Sequence, residues 1–209
     1  MSVTAARIEV HRPLPPEEAA RADFYALLGR LLYAPPDSSL LAALAAADPI
    51  PPSGDGALAR AWEGLTLASS AMDTDAAAEE YEVLFEAMGK APVSIYAGHY
   101  IGAPALDHPR VRLQAEFASL GLGRRQGHNE PEDHFAGLFE VMRVLVAGSQ
   151  GRASAPIGDQ KRFFEGFLVR GARDFFTAVT RAGQANYYRK VGELGLAFLA
   201  IEAESFELD

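Results

Sequence analysis

Apolar residues recur at spacings of three and four along most of this chain, and that period restricts its fold more than any other feature. Such spacing places apolar side chains on one face of an α-helix. The pattern appears first in Phe24, Leu27, Leu28, Leu31 and Leu32. No segment shows the sustained alternation of apolar and polar residues that is typical of strands. The sequence therefore predicts an all-α fold, with a single globular helical domain over residues 1–209.

Capping residues and helix breakers divide this domain into about nine to ten helices. Asp37 and Asp73 each stand where a side-chain cap can open a helix. The stretch 48–56, rich in proline and glycine, is predicted as a loop, and a later helix is predicted over 109–120. Breakers also cluster at 102–109, so we predict a hinge there.

The best-marked helix start lies at Asn129. Asn129 and Glu132 have the spacing of a capping box, and Pro131 suits a first helical turn. These residues predict a helix from Asn129 to Gly148. Capping does not explain His134, because a cation is disfavoured near a helix N-terminus. A neutral imidazole bonded to a nearby carboxylate would account for it, and so would a role in recognition.

Charge and composition narrow the functional class. The 28 acidic and 19 basic residues give a net charge of -9, which repels nucleic-acid phosphate and favours cationic partners. The absence of cysteine excludes disulfides and thiolate metal sites. No apolar run approaches the roughly 20 residues of a membrane span. Acidic Glu17 and Glu18 follow the N-terminal arginines, where a secretory signal would be apolar. We expect a cytoplasmic protein that does not bind nucleic acid or span a membrane.

The sequence contains no recognisable catalytic motif. The histidines lack the paired helical spacing of zinc hydrolases, and neither a phosphate-binding glycine loop nor a Gly-x-Ser-x-Gly elbow occurs. His128 and the acids of 130–133 suggest a metal site, although a loop histidine beside a helix cap is the simpler interpretation. We predict no catalytic residue, no metal and no cofactor. The enzymatic alternative is a small helical metal-assisted hydrolase that uses His99 or His134.

Two segments stand out from this background. The first, residues 80–100, carries aromatic and apolar side chains that lead into glycine and proline. These side chains are Tyr81, Leu84, Phe85, Tyr96 and Tyr100. The first three have the spacing of a core stripe, whereas large amphipathic rings near helix breakers can line a groove. The second segment, residues 129–135, brings three acids and a histidine together at one helix start.

At these two segments the chain resembles the TorD/DmsD/NarJ family of redox-enzyme maturation chaperones. The family pattern joins an aromatic-x-x-Leu-Phe helix, a Gly-Lys turn with a tyrosine-rich stretch, and a later Glu-Pro-x-Asp-His element. In this chain these elements are residues 81–85, 89–100 and 130–134. The early run at 27–33 also fits, so the resemblance covers nearly the whole chain. It implies an all-helical, TorD-like chaperone without catalytic activity.

The resemblance also implies a ligand. Members of the family bind the twin-arginine signal peptide of a molybdenum-cofactor enzyme and hold back export until the cofactor is inserted. Carried over to this chain, the apolar groove would be lined by Tyr81, Leu84, Phe85, Tyr96 and Tyr100. Its polar part would be formed by Glu130, Glu132, Asp133 and His134.

The expected partners are this peptide and the apo-form of a molybdoenzyme catalytic subunit, of the formate dehydrogenase or DMSO/TMAO reductase type. Two guanidinium groups before an apolar stretch suit carboxylates beside an aromatic groove. An acidic surface would speed capture of such a peptide. The chain is expected to act as a monomer or homodimer. A subunit that stays in the mature oxidoreductase is the remaining alternative.

Overall fold

The computed structural model describes residues 14–52, 54–87, 91–101, 109–123 and 131–208. These residues form helices and connecting turns without a strand, so the all-α prediction is confirmed. The α-helices are α1 (Pro16–Tyr33), α2 (Ser38–Ala45), α3 (Ala57–Ala71), α4 (Thr74–Tyr81), α5 (Pro109–Ser119), α6 (Phe135–Ala147), α7 (Ile157–Phe163), α8 (Val169–Arg181) and α9 (Tyr187–Leu208). No helix within the described ranges is long and apolar enough to cross a membrane.

Two of these helices continue through a π-helical turn. Glu82–Glu86 extends α4, and Phe164–Leu168 joins α7 to α8 in one long helix. Counted as continuous, the part of the chain that the structure describes holds eight helices, slightly fewer than predicted. Residues 102–108 lie outside the described ranges, so the hinge at 102–109 stays a prediction.

Side-chain caps begin two of the helices where the sequence predicts them. Asp37 Oδ1 accepts a hydrogen bond from the Leu40 amide at 2.9 Å, at the start of α2. Asp73 Oδ1 accepts one from the Ala76 amide at 2.8 Å, at the start of α4. Each bond satisfies an amide that has no partner within the first helical turn. These local signals therefore fix the helix boundaries correctly.

The predicted start of α6 is wrong. The helix begins at Phe135, and residues 131–133 form the turn before it. His134 is the N-cap residue, because its Nδ1 accepts a hydrogen bond from the Ala136 amide at 3.2 Å. That bond requires an unprotonated Nδ1, which agrees with a neutral imidazole at this helix start. Asn129 lies outside the described residues.

The core is built from the packing of α1 on α6 and of α9 on α3 and α8. Its largest fully buried side chains are aromatic, and they include Tyr25, Phe135, Phe139, Phe175, Phe176 and Tyr188. Two tyrosine hydroxyls donate hydrogen bonds to carbonyl groups at the C-terminal end of α1. Tyr188 donates to the Leu31 carbonyl at 3.1 Å, and Tyr81 donates to the Leu32 carbonyl at 3.0 Å. Both carbonyls belong to the last turn, which has no helical donors of its own.

A buried carboxylate links α1 to α9. Glu202 is 1% exposed, and its two oxygens accept hydrogen bonds from Arg21 Nε at 2.8 Å and Nη2 at 2.9 Å. The Tyr25 hydroxyl donates to the same carboxylate at 2.6 Å. Burial, with the charge of Glu202, raises the pKa of Tyr25 well above its ordinary value. Arg21 also binds Glu18 at 2.8 Å. The cluster is a charged, hydrogen-bonded contact between α1 and α9 that reaches from the buried Glu202 to the partly exposed Glu18.

Candidate functional site

The two segments singled out in the sequence meet in space. The Ala97 amide donates to the Asp133 carbonyl at 2.8 Å. The Phe135 amide donates in return to the Ile95 carbonyl at 3.1 Å. Because both bonds join main-chain groups, the backbone itself sets the position of the segment that carries Tyr96 and Tyr100 relative to the start of α6.

Tyr96 and His134 face each other at this junction. They form an isolated antiparallel bridge, and their rings pack edge to face with centroids 5.4 Å apart. Tyr96 is half-buried, whereas His134 is only 6% exposed. His134 therefore packs against the Tyr96 ring in addition to capping α6.

Asp133 is an internal anchor of the site. Its side chain is 2% exposed, and Oδ2 accepts a hydrogen bond from the Gly98 amide at 3.2 Å. Oδ1 accepts one from Arg110 Nε on α5 at 2.8 Å. A Cβ at position 98 would lie 2.8 Å from Oδ2, closer than a real Cβ approaches an oxygen. The carboxylate thus holds the 3₁₀ turn Ala97–His99 through a contact that only glycine permits.

Gly98→Ala is expected to lower the free energy of unfolding by about 1–3 kcal/mol, the usual cost of overpacking. The added methyl would push the Asp133 carboxylate away from the amide it binds. Urea denaturation of wild type and variant measures the difference. Gly123→Ala is the matched control, because a Cβ there meets nothing within 4 Å. Equal stability of the two variants would contradict the role of Asp133 in holding the turn at Gly98.

Tyr100 contributes a second ring to the site. It is half-buried, its hydroxyl donates to the Ser94 carbonyl at 2.9 Å, and its ring lies 6.0 Å from that of Phe135. Burial, with the negative charge of Asp174, raises the pKa of Tyr100 to about 12. The phenol therefore stays protonated near neutral pH, where it acts as a donor and an aromatic surface but not as a base.

Three of the predicted groove residues lie in the core. Tyr81, Leu84 and Phe85 are 4%, 0% and 8% exposed. Phe85 packs against Phe175 with ring centroids 6.0 Å apart, and the same Phe175 ring lies 6.1 Å from that of Tyr100. The Phe175 ring thus links Phe85 to Tyr100. In this conformation Tyr81, Leu84 and Phe85 offer almost no surface to a ligand, so a lining role would require the core to open.

The remaining predicted residues are more peripheral. Glu132 is half-buried, and its Oε1 accepts a hydrogen bond from Gln114 Nε2 at 3.1 Å. Glu130 lies outside the described residues. His99 is exposed, with its ring 4.9 Å from that of Tyr100. Within the described ranges, no group of three or more histidine, aspartate or glutamate side chains could hold a metal ion.

Two residues of the site are not predicted from the sequence. Gly98 provides the space for the Asp133 carboxylate, and Arg110 provides its cationic partner. A weak signal existed for the first, since a glycine among bulky aromatics often marks a close backbone approach. No such signal existed for Arg110, because an arginine in the first turn of a predicted helix is usually an ordinary surface residue.

Comparison with known proteins identifies the family of this chain. The family model of the nitrate reductase delta subunit matches residues 52–176, a range that includes both segments of the site. The chain therefore belongs to the nitrate reductase delta subunit family, and the resemblance to redox-enzyme maturation chaperones is confirmed. This is a chaperone family, not a catalytic one, and its members bind molybdoenzyme subunits.

A relative is found among curated proteins. An uncharacterized protein of Haemophilus influenzae (strain ATCC 51907 / DSM 11121 / KW20 / Rd) is 30% identical over 129 residues. The match covers 62% of this chain and 61% of the relative. The chain therefore spans about three fifths of the relative's length.

Proposed function

We propose that this protein binds the twin-arginine signal peptide of a molybdoenzyme catalytic subunit in its apo-form and assists cofactor insertion before export. One observation supports this most strongly. In a member of a redox-enzyme chaperone family, two half-buried tyrosines are fixed by backbone bonds beside the turn that carries Glu132 and Asp133. Because the peptide is bound before export, the proposal places the protein in the cytoplasm.

The chemistry of the ligand matches the accessible side chains. Arginine binds well to aromatic faces and to carboxylates, where its planar fork can donate two hydrogen bonds. Tyr96 and Tyr100 offer ring surface, and Glu132 offers a carboxylate in the turn before α6. We assign direct contact to these three residues and add Glu130 as a further carboxylate. In the free protein Asp133 and His134 support the site from within, because both are buried and already bonded within the protein.

Tyr96→Ala is expected to weaken binding of a fluorescently labelled twin-arginine peptide by about tenfold, the effect of losing a well-placed aromatic contact. Helical content by circular dichroism should stay unchanged, because the Tyr96 ring is half-buried and outside the helices. Fluorescence anisotropy measures the affinity. Tyr33→Ala is the matched control, since Tyr33 is a 53% exposed tyrosine at the end of α1. Wild-type affinity in Tyr96→Ala would remove the groove assignment.

A further inference from the structure

The pairing of Asp133 with Arg110 is unusually asymmetric. The carboxylate side chain is 2% exposed, whereas the arginine that neutralises it is 44% exposed. One carboxylate oxygen is held by the Gly98 amide, and the other accepts from Arg110 Nε at 2.8 Å. A buried carboxylate requires a cationic or hydrogen-bonding partner. Here that partner is a long side chain that is nearly half accessible to solvent, so a ligand can approach the pair from the arginine side.

Arg110 also occupies a position that its own helix disfavours. It is the second residue of α5, where the helix dipole presents partial positive charge. The first turn of α5 contains no acidic residue, and Arg112 adds a second cation there.

We propose that Arg110 is an internal substitute for a peptide arginine. It pairs with the Asp133 carboxylate in the free protein, and it gives way to a guanidinium of the bound peptide. The exchange replaces one guanidinium by another, so the buried carboxylate is never left unpaired. Internal competition of this kind lowers the affinity for peptide and so favours its later release. The inference rests on the proposed function and adds a regulatory contact to the same site.

Peptide binding to Arg110→Gln provides the first test. Loss of the competitor should tighten binding of a labelled peptide with two consecutive arginines by at least about threefold, the scale of a partly exposed ion pair. Arg112→Gln is the matched control, because it removes the same charge from the same helix turn while its guanidinium lies over the Phe167 ring. Equal tightening in both variants would indicate bulk charge alone and overturn the inference. Unchanged or weaker binding in Arg110→Gln would also overturn it.

A second measurement needs no peptide. Arg110→Ala leaves the Asp133 carboxylate without its guanidinium, so millimolar methylguanidinium should raise the melting temperature of this variant. Wild type and Arg112→Ala should show no such rise. Absence of a selective rise in Arg110→Ala would overturn the inference. If wild type and Arg110→Gln both fail to bind peptide, the proposed function fails, whereas a selective rise would still show that Asp133 accepts an external guanidinium.

Discussion

Glu202→Ala is expected to lower the free energy of unfolding by about 3 kcal/mol, the scale for breaking a buried ion pair by removing one partner. The substitution removes the acceptor of both the Arg21 guanidinium and the Tyr25 hydroxyl. Arg21 is only 14% exposed and Tyr25 is fully buried, so water reaches neither group well. Urea denaturation followed by circular dichroism measures the difference.

Glu18→Ala is the matched control for Glu202→Ala. Glu18 also binds Arg21, but its carboxylate is 32% exposed, so the expected loss is below about 1 kcal/mol. The double variant Arg21→Met with Glu202→Leu should recover part of the loss, because it leaves no unpaired charge in the core, whereas the Tyr25 hydroxyl still lacks its acceptor. Equal losses in Glu18→Ala and Glu202→Ala would contradict the account of this cluster.

Gly195→Ala is expected to destabilise the protein by about 2 kcal/mol, within the range for overpacked cores. A Cβ at position 195 would overlap the ring of Phe176, which is fully buried between α8 and α9. The steric penalty must exceed the roughly 1 kcal/mol by which alanine favours a helix over glycine. Thermal and urea unfolding measure the net change.

Gly137→Ala separates the two contributions in Gly195→Ala. Gly137 lies inside α6, and a Cβ there meets nothing within 4 Å. This control should therefore stabilise the protein by up to about 1 kcal/mol through helix propensity alone. The prediction for Gly195 fails if both variants change stability in the same direction.

The helices that the sequence predicts well are those whose boundaries depend on neighbouring residues. The apolar period of α1, with Pro16 at its start and Pro35-Pro36 beyond its end, predicts the observed Pro16–Tyr33 closely. Asp37 and Asp73 bind amides only three residues away, so their capping role is visible in the sequence. Such information is local and needs no knowledge of the fold.

The start of α6 depends instead on distant residues. Asn129 and Glu132 have the correct spacing for a capping box, yet residues 131–133 form a turn. The reason is that the Asp133 carbonyl binds the Ala97 amide and the Asp133 carboxylate binds the Gly98 amide. Gly98 lies 35 residues before Asp133 in the sequence. A tertiary contact therefore outweighs a local capping signal here. No pattern in residues 129–135 alone reveals that pairing.

The same limit applies to the candidate site. The sequence identifies the two segments that meet, because their aromatic and acidic composition is unusual. It does not distinguish residues that face a ligand from residues that hold the segments together. Tyr81 and Leu84 are core residues, and Asp133 and His134 bind the protein's own backbone. Tyr96 and Tyr100 are only half-buried, so among the predicted aromatic residues they are the ones that a ligand can reach.

Isothermal titration calorimetry of the wild-type chain tests whether it recognises paired arginines before an apolar stretch. Two synthetic peptides are compared, one with two consecutive arginines before an apolar stretch and one with lysines in their place. The proposed function predicts saturable one-to-one binding of the arginine peptide, weakened by at least about fivefold in the lysine peptide because lysine lacks the planar donor fork. No binding, or equal binding of both peptides, would contradict recognition of a twin-arginine signal.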